Sequence, residues 1–229
     1  MKPKILLAWS SGKDSAWALH VLRRQAKYEI VGLFTTINSE FDRVAMHGTR
    51  RALVELQASA AGLPLSAIPL PWPCSNDDYE KAMGSFCAQA VEQGITAMAF
   101  GDLFLEDIRA YRVRQLEGTG LEPIFPVWQM PTASLAEEMI DSGLRARLVC
   151  VDPKVLSSDF AGREFDRELL RELPKETDPC GENGEFHSFV YAGPMFDREI
   201  PVKSGERVLR DGFWYADLLP GQGLSKSKT

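Results

Sequence analysis

The N-terminal segment of the chain constrains its fold more than any other stretch. Residues 5–9 are apolar and predict a buried strand, and residues 16–22 predict a helix. The connecting loop and its flanks read Trp9-Ser10-Ser11-Gly12-Lys13-Asp14-Ser15. In a strand–loop–helix unit, the loop N–H groups and the positive end of the helix dipole point to one spot and favour an anion there. The segment therefore predicts a phosphate cradle, with Asp14 or Ser15 suited to the helix N-cap.

The side chains of this loop fit the same interpretation. Lys13 adds a positive charge, and Ser10 and Ser15 add hydroxyl donors. The spacing differs from the Walker A motif, which needs a Gly, four residues and then Gly-Lys-Ser/Thr. An ordinary Ser/Gly turn is the alternative interpretation of the loop taken alone.

Strand and helix patterns alternate up to residue 152. Predicted strands at 28–36, 67–70, 96–101, 122–127 and 145–151 flank predicted helices at 44–61, 75–93, 106–117 and 134–142. Gly62 suits the C-cap of the first of these helices, and Ser75 with Asp78 suits a capping box for the second. This alternation predicts a doubly wound parallel sheet, an α/β domain over residues 1–152. Ligands on such sheets lie beyond the carboxyl ends of the strands. We therefore expect Thr35, Thr36, Asn38, Gly101 and Asp102 to line the same crevice as the loop.

The pattern changes after residue 152. A short helix at 166–173 is followed, from Phe186 onward, by short strand patterns with turns at Ser204-Gly205 and Asp211-Gly212. Residues 153–219 are predicted to form a smaller α+β subdomain that leans over the crevice. Residues 220–229 are predicted to be a disordered tail.

Composition narrows the functional classes. The 229 residues are 45% hydrophobic and 25% charged, which is typical of a soluble globular protein. The net charge of −6 argues against a nucleic-acid partner, because binding nucleic acid needs a basic face. No apolar run reaches the roughly 18 residues of a membrane span, and the first strand leaves no room for a signal peptide. The four cysteines lack CxxC spacing, which favours reduced thiols in the cytoplasm.

A second stretch concentrates polar groups in eleven residues. It reads Asp178-Pro179-Cys180-Gly181-Glu182-Asn183-Gly184-Glu185-Phe186-His187-Ser188. Carboxylates, an amide and an imidazole at this density are unusual in a solvated connector. A tight hairpin that uses Gly181 and Gly184 for positive φ angles is the alternative.

The two stretches together resemble the diphthine–ammonia ligase family of the N-type ATP pyrophosphatase, or PP-loop, superfamily. The resemblance covers roughly residues 4–200, and Cys-Gly-Glu-x-Gly-Glu-Phe is its most specific element. Further matching motifs are Gly101-Asp102 followed by Asp107 and Arg109, then Met46-His47-Gly48, Pro126-Val127-Trp128 and Gly193-Pro194-Met195-Phe196.

Two departures from the family pattern stand out. Ser11 occupies the first Gly position of the family's Ser-Gly-Gly-x-Asp-Ser loop, and Gly is required only at whichever of positions 11 and 12 has φ > 0. Glu185-Phe186-His187-Ser188 stands where the branch that modifies translation elongation factor 2 has Glu-Tyr-Glu-Thr. Because of the second departure, the acceptor substrate can be either diphthine or another carboxylate.

The resemblance implies an adenine-nucleotide α-hydrolase (HUP-type) core and an ATP-dependent ligase that uses Mg²⁺. Such an enzyme adenylates a carboxylate, releases pyrophosphate and lets ammonia displace AMP. The resemblance and the chemistry of the side chains indicate catalytic Lys13, Asp14, Glu182 and Glu185; nucleotide-binding Ser10, Ser11, Gly12, Lys13, Asp14, Ser15, Thr35, Thr36, Gly101 and Asp102; substrate-binding Arg109, Arg112, Asn183 and His187; and metal-binding Asp14 and Asp102. The alternatives without a ligand are helix capping for Asp14 and Asp102, a solvated amine for Lys13, a solvated helix face for Arg109 and Arg112, and a strand position for His187.

The implied partners are a small-molecule or protein-borne carboxylate and ammonia, with neither nucleic acid nor membrane and with a possible homo-oligomer. Two other functions share the core fold: a non-enzymatic ATP sensor of the universal-stress type, and a tRNA-thiolating enzyme of the PP-loop superfamily. The sensor has no need of the polar loop at 178–188. The thiolating enzymes use paired catalytic cysteines or a CxxC motif and a basic RNA-binding face, and this acidic chain shows neither.

Overall fold

The computed structural model describes residues 1–44 and 47–221, which form two β-sheets with helices between and around them. The first sheet contains β1 (Lys4–Ala8), β2 (Glu29–Asn38), β3 (Arg43–Val44), β4 (Leu65–Leu70), β5 (Ala97–Ala99) and β6 (Glu122–Ile124). The second contains β7 (Arg145–Val151), β8 (Phe186–Ala192), β9 (Val202–Arg210) and β10 (Phe213–Pro220). The helices are α1 (Lys13–Gln25), α2 (Arg51–Ala61), α3 (Asn76–Glu92), α4 (Glu106–Leu116), α5 (Thr132–Asp141) and α6 (Arg167–Glu172), and a short 3-10 helix covers Ser158–Phe160.

The first sheet confirms the predicted α/β class. β4, β2, β1, β5 and β6 lie side by side and all pair in parallel, while two-residue β3 pairs antiparallel with the end of β2. Alternate residues of β1 enter different cores, because successive strand side chains point to opposite faces. Leu7 packs in the cluster that holds residues of α1 and α2, and Leu6 packs in the cluster that holds residues of α3. The parallel strands are therefore covered on both faces.

Helix α1 begins at Lys13, at least two residues earlier than the predicted caps allow. Gly12 is its N-cap and provides no side-chain cap, so the prediction of Asp14 or Ser15 at this position was wrong. The Gly12 carbonyl instead accepts from the Ala16 N–H at 3.1 Å and the Ser15 hydroxyl at 3.0 Å. The chain turns at Ser11, which starts the helix immediately after the loop.

The predicted helix at 44–61 was wrong over its first part. Val44 belongs to β3, and α2 starts only at Arg51 and ends at Gly62, where a φ of 66° forms the expected C-cap. Between them, Gly48 has a φ of 66° and the Val44 N–H donates to the Thr49 carbonyl, so a turn replaces the helix. Ala45 and Met46, which the predicted helix and the Met46-His47-Gly48 motif include, lie outside the described residues.

Strand β7 corrects the predicted sheet assignment. It was expected to extend the parallel sheet, but it pairs antiparallel with β8 and β10 in the second sheet. The first sheet therefore ends at β6, and we propose that the division between the two units lies between residues 124 and 145 rather than at 152.

The second sheet is antiparallel, in the order β8-β7-β10-β9. Its last hairpin turns at Asp211-Gly212, whose φ values of 51° and 84° suit the predicted two-residue turn. The predicted turn at Ser204-Gly205 was wrong, because β9 runs through it and pairs with β10 along its length. Pro220, the first residue of the predicted tail, ends β10, and residues from 222 onward lie outside the described part of the chain.

All four cysteines are free thiols, and all but Cys74 are buried. Across the described ranges, no helix combines the length and the apolarity that a membrane span requires.

Candidate functional site

A crevice of about 490 Å³ lies at the carboxyl ends of β1, β2 and β5. The first sheet provides one side of it, and the segment from Gly181 to Ser188 provides the other. Of the predicted site residues, the lining includes Ser10, Lys13, Asp14, Ser15, Thr35, Thr36, Gly101, Asp102, Arg112, Glu182 and His187. The structure therefore brings together residues from stretches that are far apart in the sequence.

Residues 10–15, called the phosphate loop below, turn sharply at Ser11. Ser11 has a φ of 76°, whereas Gly12 has a φ of −86°. The serine thus occupies the position where the family pattern has Gly, at a conformational cost of about 1–2 kcal/mol. Two contacts hold it there: its hydroxyl lies 2.8 Å from the Thr49 hydroxyl, and its carbonyl accepts from the Val190 N–H at 3.0 Å. Neither Ser11 nor Gly12 lines the crevice directly, and the expectation that Asn38, at the end of β2, would line it was wrong.

Two glycines allow close approaches around the loop. A Cβ on Gly12 would lie 3.2 Å from both His47 Cε1 and the Ser188 carbonyl oxygen. A Cβ on Gly101 would lie 2.9 Å from the backbone of Asp14 and Ser15, so the glycine lets the end of β5 pass against the first turn of α1. Larger side chains at either position would push the crevice walls apart.

Gln57 on α2 holds the loop against the second sheet. Its side chain is fully buried, and its Oε1 accepts from Trp9 Nε1 at 2.8 Å. Its Nε2 donates to the Ser11 carbonyl at 3.0 Å and to the Val190 carbonyl at 2.6 Å. One amide thus joins β1, the phosphate loop and β8, a role that sequence analysis missed because no local pattern marks it.

Lys13 is buried rather than mobile. Its Nζ contacts the Asp14 carboxylate at 2.9 Å, donates to the Cys180 carbonyl and lies 5.4 Å from the centroid of the Phe186 ring. Burial disfavours its charge, but Asp14 and the other nearby acidic groups outweigh burial and raise the Lys13 pKa. The lysine therefore stays charged and ties the phosphate loop to the loop at 178–188.

The loop at 178–188 folds as a compact turn. Gly181 and Gly184 have φ values of 68° and 88°, and a Cβ on Gly181 would lie 2.8 Å from the Phe186 carbonyl oxygen. The Asp178 carboxylate accepts from the N–H groups of Cys180 at 2.9 Å and Glu182 at 3.2 Å. The glycines therefore do what the hairpin interpretation expected, and the turn also directs Glu182 into the crevice.

Glu182 is the carboxylate of this loop that faces the crevice. Its Oε1 accepts from the Leu103 N–H at 2.7 Å, which fixes it beside Asp102. Burial raises the Glu182 pKa to about 7, against the opposing effect of the Leu103 hydrogen bond. A carboxyl group with this pKa exchanges protons near neutral pH, which suits a general base.

Glu185 and Asn183 have a different environment. Glu185 is buried, and its Oε1 accepts from the Asp178 N–H at 2.9 Å and from Asn183 Nδ2 at 3.0 Å. Neither residue lines the crevice. Their contacts hold the shape of the loop, and their predicted roles in catalysis and substrate binding stay predictions.

Two histidines face each other in the crevice wall. The His47 and His187 ring centroids lie 4.4 Å apart, and both residues line the crevice. Burial, together with the charge of Lys13, lowers the His187 pKa to about 4, and burial and His187 lower the His47 pKa. Both imidazoles are therefore neutral at pH 7, and the buried His47 Nδ1 has no hydrogen-bond partner among the described residues. Sequence analysis cited His47 only within a matching motif.

The two predicted substrate-binding arginines on α4 have different positions relative to the crevice. Arg112 lines the crevice, with its Nε 3.6 Å from Asp102 Oδ2 and its guanidinium over the Phe100 ring. Arg109 does not line it, because its guanidinium lies between the Phe125 and Trp128 rings at 5.3 and 5.1 Å.

The carboxylates fit a magnesium ion only in part. Over residues 1–44 and 47–221, no three His, Cys, Asp or Glu side chains form a metal cluster. However, the buried Asp102 Oδ2 has no hydrogen-bond partner in that part of the chain. Mg²⁺ in nucleotide sites needs only one or two carboxylates besides phosphates and water. Asp102, with Asp14 in the same lining, matches this limited requirement.

One wall of the crevice is apolar and was missed by sequence analysis. It consists of Phe34, Met83, Phe100, Leu105 and Ile108, from β2, α3, the end of β5 and the start of α4. Flat apolar ligands bind to such walls, whereas the opposite end of the crevice presents hydroxyls and charges. The sequence signals this wall only in part, because α3 buries Met83, Cys87 and Ala90, whereas α4 buries only Leu116.

The structure defines an α/β protein with a mostly parallel sheet, a smaller antiparallel sheet and a crevice that the loop at residues 10–15 helps to line. Comparison with known proteins gives the family. The N-terminal domain of diphthamide synthase matches residues 1–121, and its C-terminal domain matches residues 131–218. The chain belongs to the diphthamide synthase family.

Three relatives carry the name diphthine–ammonia ligase. The Danio rerio protein is 28% identical over 222 residues, covering 87% of this chain and 86% of the relative. The Bos taurus protein is 26% identical over 222 residues, covering 87% and 82%. The Homo sapiens protein is 25% identical over 230 residues, covering 90% and 85%.

Proposed function

We propose that the protein is an ATP-dependent ligase that adenylates a carboxylate and then amidates it with ammonia. Family membership and the shared name of the relatives support this reaction. The observation that carries the proposal is the meeting of the phosphate loop and Glu182 across one crevice, with Lys13 joining the two loops.

For adenylation, the triphosphate of ATP must be bound by positively charged groups and by N–H donors. We propose that the phosphates of ATP lie against residues 10–15, where Ser10 and Ser15 offer hydroxyls and the N-terminus of α1 favours an anion. The adenine ring of ATP would then lie against the apolar wall, next to the Phe34 and Phe100 rings. Lys13 would offset the charge that develops on the departing pyrophosphate.

Magnesium would be held by Asp102 and Asp14. When bound, it neutralises the phosphate charge that these carboxylates would otherwise repel. Arg112 holds Asp102 in position from the α4 side, so the carboxylate is kept in the crevice lining.

The second half-reaction needs an uncharged amine. Ammonium is attracted by the Glu182 carboxylate, and a base with a pKa near 7 can accept its proton and leave ammonia. Ammonia then attacks the acyl carbon, the amide forms, and AMP leaves with the electron pair of the broken acyl–oxygen bond. Because the adenylate is sensitive to water, the covering loop at 178–188 would also exclude solvent.

The name of the relatives suggests diphthine as one acceptor to test. His187 and Ser188 line the crevice at the point where the translation-modifying branch has other residues, so a different carboxylate is the alternative. We propose a cytoplasmic location because all four cysteines are free thiols and ATP is the co-substrate.

Product analysis tests this proposal. The protein is incubated with ATP, magnesium, ammonium and an acceptor, either diphthine-bearing elongation factor 2 or a panel of small carboxylates, and the nucleotides are separated by ion-exchange chromatography. We expect AMP and pyrophosphate in equal amounts, both dependent on the acceptor. ADP and phosphate as products would contradict adenylation, and tight ATP binding without turnover for any acceptor would favour the sensor function.

A further inference from the structure

A second cavity, of about 250 Å³, lies behind the crevice. It occupies the seam between the start of α2 and the second sheet, with β9 and β10 forming its outer wall. Nothing in the proposed nucleotide chemistry uses this space. Its position between two structural units is a common place for ligand sites.

The lining of the second cavity combines an apolar floor with a charged rim. Leu53, Val149, Phe189 and Leu218 form the floor. On the rim, three arginines face two carboxylates, a net charge of +1, from Arg43, Arg50, Arg210, Glu206 and Asp217. Such a lining suits a small ligand with an apolar body and an anionic group.

Only one of the rim arginines is available to a ligand. Asp217 pairs with Arg43 at 2.9 Å and with Arg50 at 2.5 Å, which occupies both guanidinium groups. Arg210 lies over the Tyr215 ring at 5.0 Å and forms no ion pair within the described ranges. A carboxylate could therefore take Arg210 without breaking an existing pair.

The second cavity is directly connected to the phosphate loop. His47 lines both spaces, so its imidazole forms part of the wall between them. Thr49, on the same wall, bonds to the Ser11 hydroxyl at 2.8 Å. A molecule in the second cavity and a nucleotide in the crevice would thus both lie against His47.

Electrostatics gives a reason for such a second site. Asp14, Asp102 and Glu182 line the crevice opposite Lys13 and Arg112, and the Glu182 carboxyl, with a pKa of about 7, is only partly ionised at neutral pH. Bound ATP brings further negative charge, so an acceptor that must bring its reacting carboxylate into the crevice gains from a second anchor outside it. The arginine rim offers such an acceptor a favourable approach to the same region.

We propose that the second cavity anchors the acceptor next to the nucleotide, through an apolar part and an anionic group other than the carboxylate that ATP activates. The acceptor role rests on the proposed ligase function, whereas the binding site can be tested without it. The probe is benzoate, whose ring and carboxylate match the floor and the rim. Binding is measured by ligand-observed NMR, with the crevice filled by α,β-methylene-ATP, which cannot be cleaved between the α and β phosphates.

The decisive variants lie on β9, where residues alternate between the cavity and the solvent. Val208 lines the cavity, and its neighbour Leu209 does not and is 58% exposed. We expect Val208→Trp to fill the cavity and weaken benzoate binding about tenfold or more. Leu209→Trp, the matched control on the other face of the strand, should leave binding unchanged. Both variants should retain wild-type affinity for the ATP analogue, which shows that they are folded.

A charge reversal on the cavity rim tests the same site without filling the cavity. Arg210→Glu should also weaken benzoate binding about tenfold, whereas Lys203→Glu, on the same strand but outside the cavity lining, should have no effect beyond about twofold. Benzoate that fails to bind, or binds equally to Val208→Trp and Arg210→Glu, overturns the second site. An absence of AMP formation would overturn the ligase function instead. The benzoate-binding result would remain valid in that case, because it does not depend on turnover.

Discussion

Gln57 offers a sharp test of how the phosphate loop keeps its shape. Gln57→Leu preserves the approximate size of the side chain but removes its hydrogen bonds to Trp9, Ser11 and Val190. The Trp9 indole N–H is left buried without a partner at a cost of about 1–3 kcal/mol, and two carbonyls each lose a bond that contributes about 0.5–1.5 kcal/mol. We expect the free energy of unfolding to fall by about 2–6 kcal/mol, a large part of the ~5–15 kcal/mol typical of a domain.

Urea unfolding, followed by tryptophan fluorescence, measures this loss, and calorimetry measures ATP affinity. We expect ATP binding to weaken about tenfold or more, because the Ser11 turn loses one of its supports. Gln89→Leu is the matched control, since Gln89 lies on the exposed side of α3 and reaches only Ser85, at 3.4 Å. It should change the unfolding free energy by less than about 0.5 kcal/mol. A Gln57→Leu variant within about 1 kcal/mol of the wild type would refute the reasoning.

Further predictions concern the two loops. Ser11→Gly should be more stable than Ser11→Ala by about 1–2 kcal/mol in urea unfolding, because both lose the Thr49 contact but only Gly relieves the positive φ; equal stabilities would contradict the strain. Lys13→Met should abolish measurable ATP binding in calorimetry, and the double variant Lys13→Met/Asp14→Asn should recover stability but not binding. Recovered binding would make the lysine purely structural. Ligation rates at a fixed ammonium concentration should rise with pH and level off above about 7, where Glu182 has lost its proton. Glu182→Gln should lower the rate about 10²–10⁴-fold and remove this levelling near pH 7. A variant that keeps the same pH profile would exclude Glu182 as the base.

The sequence predicted what is encoded locally. The apolar run before the phosphate loop, the capping box of Ser75 and Asp78 on α3, and the Gly62 C-cap all follow from neighbouring residues, and the structure has them. The convergence of the loop with Thr35 and Gly101 could also be predicted, because parallel strands end at one edge of a sheet.

What the sequence did not predict depends on contacts between distant segments. The period-two pattern of β7 marks a strand but does not specify its partners, so its place in the second sheet was missed. Gln57 bonds to residues 48, 46 and 133 positions away, and no local signal indicates that role. The different environments of Glu182 and Glu185 likewise arise from burial and backbone contacts that only the folded loop provides.

The most direct test of the adenylation mechanism is isotope transfer. The acceptor carboxylate is labelled with ¹⁸O, the ligation is run with ATP, magnesium and ammonium, and the recovered AMP is analysed by mass spectrometry. Attack of a carboxylate oxygen on the α-phosphorus, followed by displacement of AMP by ammonia, transfers one ¹⁸O atom into each AMP formed. Amide formation with unlabelled AMP, or with ADP and labelled phosphate, would contradict the account.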